Sequence, residues 1–307
     1  MVSFATEQVG QRFGPGVTGV LQSTLGNLPE FFVVVFALSA GELVVAQTSI
    51  VGSFLANALL VLGLAIVAGA QVSADGVMRF RKRLPNDIAT LLLLAVFIIV
   101  ILGLSDTVGD RASRHQVAIS AIGAVCLLAV YSTWLWGYLR SDEEVEPAHQ
   151  IEARPGLPFR AAVVALAGAG VAAALVSDWF VDALDPAVDA LGISKAFTGL
   201  VIVAIAGNAV ENVVGITLAA KGQADLAISV VKNSVAQIAV FVFPALVLLS
   251  LAFETRLTFV LGPVYIGAIA LTAFAIWQIT GDGEAVAFEG WALVALYIIV
   301  AVLAWFE

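Results

Sequence analysis

Apolar runs long enough to cross a bilayer follow one another along almost the whole chain, at about 16–41, 44–70, 88–105, 115–138, 160–181, 196–219, 226–252, 257–279 and 289–306. A helix needs about 20 apolar residues to span the hydrocarbon core. Lipid cannot hydrogen-bond a bare backbone, so each run must satisfy its own peptide groups as a helix. A barrel would instead show alternating strands of about ten residues. Charged residues make up only 12% of the chain, about half the share of a soluble domain, which excludes soluble enzymes and nucleic-acid binders. The lone Cys126 lies within an apolar run and rules out a disulfide framework or a cysteine metal site. The predicted fold class is an all-α polytopic membrane protein of about nine transmembrane helices, with the lipid bilayer as its solvent.

Residues 140–159 form the longest polar stretch and carry Asp142, Glu143, Glu144, Glu146 and Glu152. This stretch reads as an acidic cytoplasmic linker between a first unit, 1–139, and a second, 160–307. When loops are assigned alternately to the two sides, the N-terminus and the loops at 71–87, 139–160, 220–225 and 280–288 hold nine of the 14 Lys and Arg residues. The other side holds Arg111, Arg114, Lys195 and Arg256, and Lys232 lies inside a span. The positive-inside rule makes the first side cytoplasmic and puts the C-terminus outside. A net charge of −9 with only four lysines is the balance of a salt-loving organism, so a prokaryotic, haloarchaeal cell membrane is the expected location.

Two segments repeat. Residues 24–42 read TLGNLPEFFVVVFALSAGE and residues 205–223 read IAGNAVENVVGITLAAKGQ. Gly26, Asn27 and Glu30 of the first correspond to Gly207, Asn208 and Glu211 of the second, at a constant offset of 181 that also pairs Gly41 with Gly222 and Ser53 with Ser234. Asn57 follows Ser53, and Gln237 follows Ser234. Loop alternation sends the Glu30 helix outward and the Glu211 helix inward, so the repeats are inverted. Inverted repeats with interrupted helices are the architecture of secondary transporters, whose site lies at the midplane between repeats. Inversion needs an odd number of spans per repeat. The second half has five and the first four, so a further helix ahead of the Glu30 helix is expected to have been lost.

A carboxylate inside a membrane is costly, which marks Glu30 and Glu211 as functional. On a helix Asn27 and Ser23 share the face of Glu30, and Asn208 shares that of Glu211. Pro29 weakens local backbone bonding and frees carbonyl oxygens. Ser53 with Asn57, and Ser234 with Gln237, each share a face on the following helix. Two carboxylates surrounded by amide, hydroxyl and carbonyl oxygens suit a hard cation, Ca²⁺ above all. Neither Cys nor His is near, which argues against zinc or copper. The bland alternative for the Ser, Asn and Gln residues is that they join helices by hydrogen bonds. No nucleophile–base pair supports an enzyme, and no cofactor is implied.

The stretches TLGNLPE and VAQTSIVGSFLANALLVLG (45–63) in the first half, and FTGLVIVAIAGNAVENV (197–213), QIAVFVFPALVLL (237–249) and DGEAVAFEGWALVALYIIV (282–300) in the second, resemble the calcium/proton exchangers of the calcium/cation antiporter superfamily. The resemblance covers nearly the whole chain and implies an antiporter that exchanges Ca²⁺ for protons by alternating access. It implies Glu30 and Glu211 as the metal carboxylates, with Asn27, Asn208, Ser53, Asn57, Ser234 and Gln237 around the path. It also implies a helix ahead of residue 1. Three positions depart from the family pattern: Asn212 stands where proton exchangers carry His, Asn233 replaces a small glycine, and Lys232 replaces an apolar residue. These three are the expected coupling or modulating positions. Na⁺/Ca²⁺ exchange, or an inactive transporter-like subunit, are the competing readings.

Overall fold

The computed structural model describes residues 26–81, 83–140 and 159–307, with the backbone alone for 83–88, 138–140, 159, 160, 162, 163, 166, 185, 210 and 211. Ser23 and the acidic run 142–152 lie outside the described residues. The first half contains α1 (Leu28–Ser39) and α2 (Leu43–Leu55), which passes through a π-helical stretch at Ala56–Val61 into α3 (Leu62–Val72). Strand β1 (Val77–Arg79), α4 (Arg83–Val108) and α5 (Gln116–Arg140) complete it. The second half begins with α6 (Phe159–Asp182) and α7 (Leu184–Leu191). A helical turn at Lys195–Phe197 and a π-helical stretch at Thr198–Val203 then lead into α8 (Ala204–Gly207) and α9 (Ala209–Ala220). Next come α10 (Ala224–Gln237), a third π-helical stretch at Ile238–Val242, and α11 (Phe243–Leu249). The chain closes with α12 (Pro263–Thr280), β2 (Glu284–Val286) and α13 (Ala287–Trp305).

Among the described residues six helices are long and apolar enough to cross a membrane, or seven if the bent pair Lys195–Gly207 and Asn212–Ala220 is counted as one span. Helix α4 shows why they need lipid. Leu93, Phe97, Ile101 and Leu104 recur at helical spacing and stay at least half exposed, while Leu92, Ala95, Ile99 and Leu102 pack inward. Both faces are apolar, one turned to protein and the other outward.

Loop contacts bear out the alternation read from the sequence. At one end β1 and β2 pair antiparallel, Met78 opposite Ala285. There the Arg81 N–H also donates to Asp225 Oδ1 at 2.6 Å. At the other end Lys195 Nζ donates to both Glu42 carboxylate oxygens at 2.8 Å, and Gln47 Nε2 donates to Val260 O at 2.9 Å. The loops at 73–81, 222–225 and 281–286 therefore share one face of the molecule, and those at 41–43, 192–195 and 255–262 share the opposite one.

The repeat extends to the backbone. Gly41 (φ 81°) and Gly222 (φ 76°) occupy the left-handed region that glycine reaches without steric cost. Each closes the same turn: the Glu42 N–H donates to Ala37 O at 2.7 Å, and the Gln223 N–H to Leu218 O at 3.0 Å. The two turns lie on opposite faces of the molecule, so the halves run in opposite senses. The π-helical stretches after α2 and α10 also match through the repeat offset, and such stretches concentrate at functional sites.

One predicted span is corrected. The apolar run 257–279 becomes helical only at Pro263, because Gly262 and Pro263 start the helix there. The preceding segment carries Leu257 and Phe259, each 1% exposed, into the interior as irregular chain. Side chains serve its buried backbone: Ser250 Oγ accepts from the Leu257 N–H at 2.9 Å, and Ser120 Oγ from the Phe259 N–H at 3.1 Å.

Candidate cation site

The site forms where two helices break. Asn27 (φ −83°, ψ 8°) and Asn208 (φ −94°, ψ 10°) sit in the same sparsely populated backbone region, each interrupting its helix just before the motif glutamate. Their carbonyls accept the first bonds of the following helices, from the Phe31 N–H at 3.1 Å and the Asn212 N–H at 2.9 Å. The second break bends the chain by 58°. Pro29, in the first turn of α1, cannot donate a backbone bond back across the first break. Glu30 lies nine residues before the end of α1 and Glu211 nine before the end of α9. At 1.5 Å per residue both stand about 14 Å from opposite faces, close to half of a hydrocarbon core about 30 Å thick.

Glu30 is 2% exposed. Its carboxylate rests against the second break: a Cβ added to Gly207 would stand 2.6 Å from Glu30 Oε1 and 2.9 Å from Cδ. The motif glycine of one repeat thus makes room for the motif carboxylate of the other. Glu211 belongs to α9 by its backbone, and its side chain lies outside the described residues.

Amide and hydroxyl groups from both repeats meet beside these breaks. Asn208 Nδ2 donates to Ser53 Oγ at 3.0 Å and to Ala204 O at 3.0 Å. Asn57 Nδ2 donates to Asn208 Oδ1 at 3.1 Å and to Ser234 Oγ at 3.3 Å. All four residues are buried, as are Asn27 and Gln237. Ser53 lies ten residues into α2 and Ser234 ten into α10, the same depth approached from opposite faces. Close packing sets this register, since a Cβ on Gly52 would fall 2.3 Å from the Leu200 carbonyl oxygen. The α2 backbone therefore rests directly on the chain that leads into Asn208. Gln237 ends α10 facing the Tyr131 hydroxyl of α5, a neighbour that the sequence reading did not anticipate. A tyrosine inside an apolar run was the available signal.

Lys232 stands apart from this network. It is two residues from Ser234 on α10, which places it on nearly the opposite side of the helix. Its ammonium donates to Thr280 Oγ1 at 2.5 Å, at the end of α12. The helical phase turns the Lys232 head toward α12, and its neighbour Asn233, the second expected modulating position, is half-buried. Asn212 is 9% exposed and carries a buried side-chain oxygen.

Among the described residues no three His, Cys, Asp or Glu side chains cluster. The oxygens gathered beside the breaks are mostly those of neutral amides and hydroxyls, a donor set suited to a hard ion.

The chain matches the family described as sodium/calcium exchanger protein over residues 1–139 and 161–306. It is 33% identical over 317 residues to a vacuolar calcium ion transporter of Schizosaccharomyces pombe, covering 100% of this chain and 75% of that protein. It is 30% identical over 324 residues to a Ca(2+)/H(+) antiporter of Synechocystis, covering 99% and 86% respectively. Among solved structures it superimposes on native YfkE with a TM-score of 0.81 at 27% identity, covering 100% of this chain and 89% of that one. It shares its fold with the H+/Ca2+ exchanger CAX, with a TM-score of 0.78 at 17% identity and coverage of 98% and 77%. With the family matched across both halves and its relatives aligned over 99–100% of this chain, the chain belongs to the sodium/calcium exchanger protein family, among the calcium/proton exchangers.

Proposed function

We propose that this protein is a secondary-active antiporter that exchanges Ca²⁺ for protons across a cell membrane by alternating access at Glu30 and Glu211. The observation that carries the reading is the meeting of the two helix breaks at mid-depth, with the Glu30 carboxylate against Gly207 and Asn208 bonded to the facing repeat. A buried carboxylate holds either a metal ion or a proton, and each competes for the same oxygens. Because the repeats are inverted, tilting one against the other opens the shared site to one face and then the other. Asn27, Ser53, Asn57, Asn208, Ser234 and Gln237 supply neutral oxygens around the two carboxylates. The face carrying β1, β2 and the Gly222 turn is cytoplasmic, and the C-terminus is outside.

The test is Ca²⁺ uptake into vesicles reconstituted with the purified chain, driven in one arm by a pH gradient and in the other by a Na⁺ gradient. Proton-driven uptake that is lost in both Glu30→Gln and Glu211→Gln is expected, with each variant still inserted. Wild-type transport in either variant overturns the assignment of the carboxylates. Uptake driven by Na⁺ alone overturns the assignment of the counter-ion.

A further inference from the structure

We propose that Asn212 is a further cation ligand, its side-chain oxygen meeting the ion one helical turn nearer the Gly222 turn than Asn208 does. The proposal deepens the antiporter reading and rests on it.

Two contacts on one face of the chain through α9 place this side chain. Asn208, four residues earlier, is bonded to Asn57 and Ser53. Gly215, three residues later, faces Val231 of α10 and Val61 of the π-helical stretch after α2; a Cβ there would lie 2.7 Å and 3.8 Å from their methyl carbons. Residues three and four apart share a helix face, so Asn212 lies on the stripe between these two contacts. The stripe faces the seam between the π-helical stretch and α10, the two elements that carry Asn57 and Ser234.

Asn212 is 9% exposed, and its Oδ1 has no hydrogen-bond partner. A buried amide oxygen without a donor is costly, and proteins rarely keep one except where something binds. Its backbone N–H is already committed to Asn208 O, which fixes the residue in the helix and leaves the side chain as the free element. A neutral carbonyl oxygen next to a carboxylate-bearing residue is what Ca²⁺ collects to complete its six to eight ligands. The amide does not titrate, so this oxygen would hold the ion at every pH, leaving proton exchange to the carboxylates. The stretch from Asn208 to Asn212 then offers two amide positions about 5 to 6 Å apart along the path toward the Gly222 turn.

The test uses the full chain in vesicles and in detergent, with Asn212→Leu, which keeps the branched shape and removes the oxygen, and Asn212→Asp, which keeps the oxygen. Asn212→Leu is expected to raise the KM for Ca²⁺ about tenfold while Vmax stays within about twofold, and to shrink the rise in Tm that Ca²⁺ produces. Asn212→Asp is expected to keep the KM at or below the wild-type value. A purely structural asparagine would show neither change, because removing an orphaned acceptor alone leaves Ca²⁺ affinity untouched. Wild-type KM and Tm response in Asn212→Leu, or equal KM increases in both variants, overturn the proposal. Asn212→Ala gives the same comparison should the leucine variant fail to fold. The Tm response reads ligation without transport, so failure of the antiporter reading and failure of this ligand are distinguished.

Discussion

Replacing Gly207 by alanine should separate the folding of this protein from its ion binding. The new Cβ would meet Glu30 Oε1 at 2.6 Å and Cδ at 2.9 Å. Ordinary contact between nonbonded heavy atoms begins near about 3.5 Å, so the carboxylate must retreat by about 0.9 Å. The obstruction is the tip of a flexible side chain rather than backbone, and the helix break itself can stay in place. Overpacking of this kind costs about 1–3 kcal/mol, which lowers Tm without preventing insertion. Ligation is less forgiving, because Ca²⁺–oxygen distances occupy only about 2.3–2.6 Å, and a displacement of that size removes Glu30 from the coordination sphere. Loss of one ligand worth about 1.4 kcal/mol raises the KM for Ca²⁺ about tenfold. The assay pairs thermal unfolding in detergent with the initial rate of Ca²⁺ uptake into vesicles at graded Ca²⁺. Wild-type KM in Gly207→Ala would refute the reasoning, since Glu30 could then bind the ion without resting against the second break.

Two further predictions address the residues around the site. Lys232→Met keeps the apolar stem and removes a buried ammonium, while Thr280 retains its bond to Ile276 O at 2.7 Å, so stability should rise by about 1 kcal/mol or more and the KM for Ca²⁺ should stay within about twofold. A tenfold shift in KM would return Lys232 to the ion path. At the β1–β2 face, the Arg79 guanidinium beside Asp75 holds its carboxyl below the usual value of 3.8. A lowered pKa stabilises the fold fully above that usual value and less as pH falls through the depressed one. The amides of Val77–Arg79 should therefore keep their protection from hydrogen exchange from pH 7 down to about 4 and show a modest decrease below, as expected of an exposed pair. Asp75→Asn should show the loosened ribbon already at pH 7, and equal protection in both proteins would discount the pair.

The apolar runs, the lysine and arginine asymmetry and the twice-written Gly-Asn-x-x-Glu motif already determined the helical membrane class, the alternation of loops between two faces and the inversion of the halves. These are local or periodic properties, and lipid enforces them on any chain with such runs. The residue types of the site were legible for the same reason, because polar groups are conspicuous in apolar sequence. Which of them meet was decided by tertiary structure. Asn57 and Ser234 are 177 residues apart and share a hydrogen bond only because α2 and α10 reach the same depth from opposite faces. Ser234 and Lys232 look equally close to the motif along the chain, yet helical phase sends one to Asn57 and the other to Thr280. The irregular segment before Pro263 escaped hydropathy because its side chains are as apolar as a helix, and Ser120, Ser250 and Gln47, brought in from other elements, help make its buried backbone tolerable. Composition and period specify which surfaces must be buried, but partner and phase are set by packing, where a missing Cβ at Gly52 or Gly207 fixes how closely two backbones approach and so which oxygens face one another.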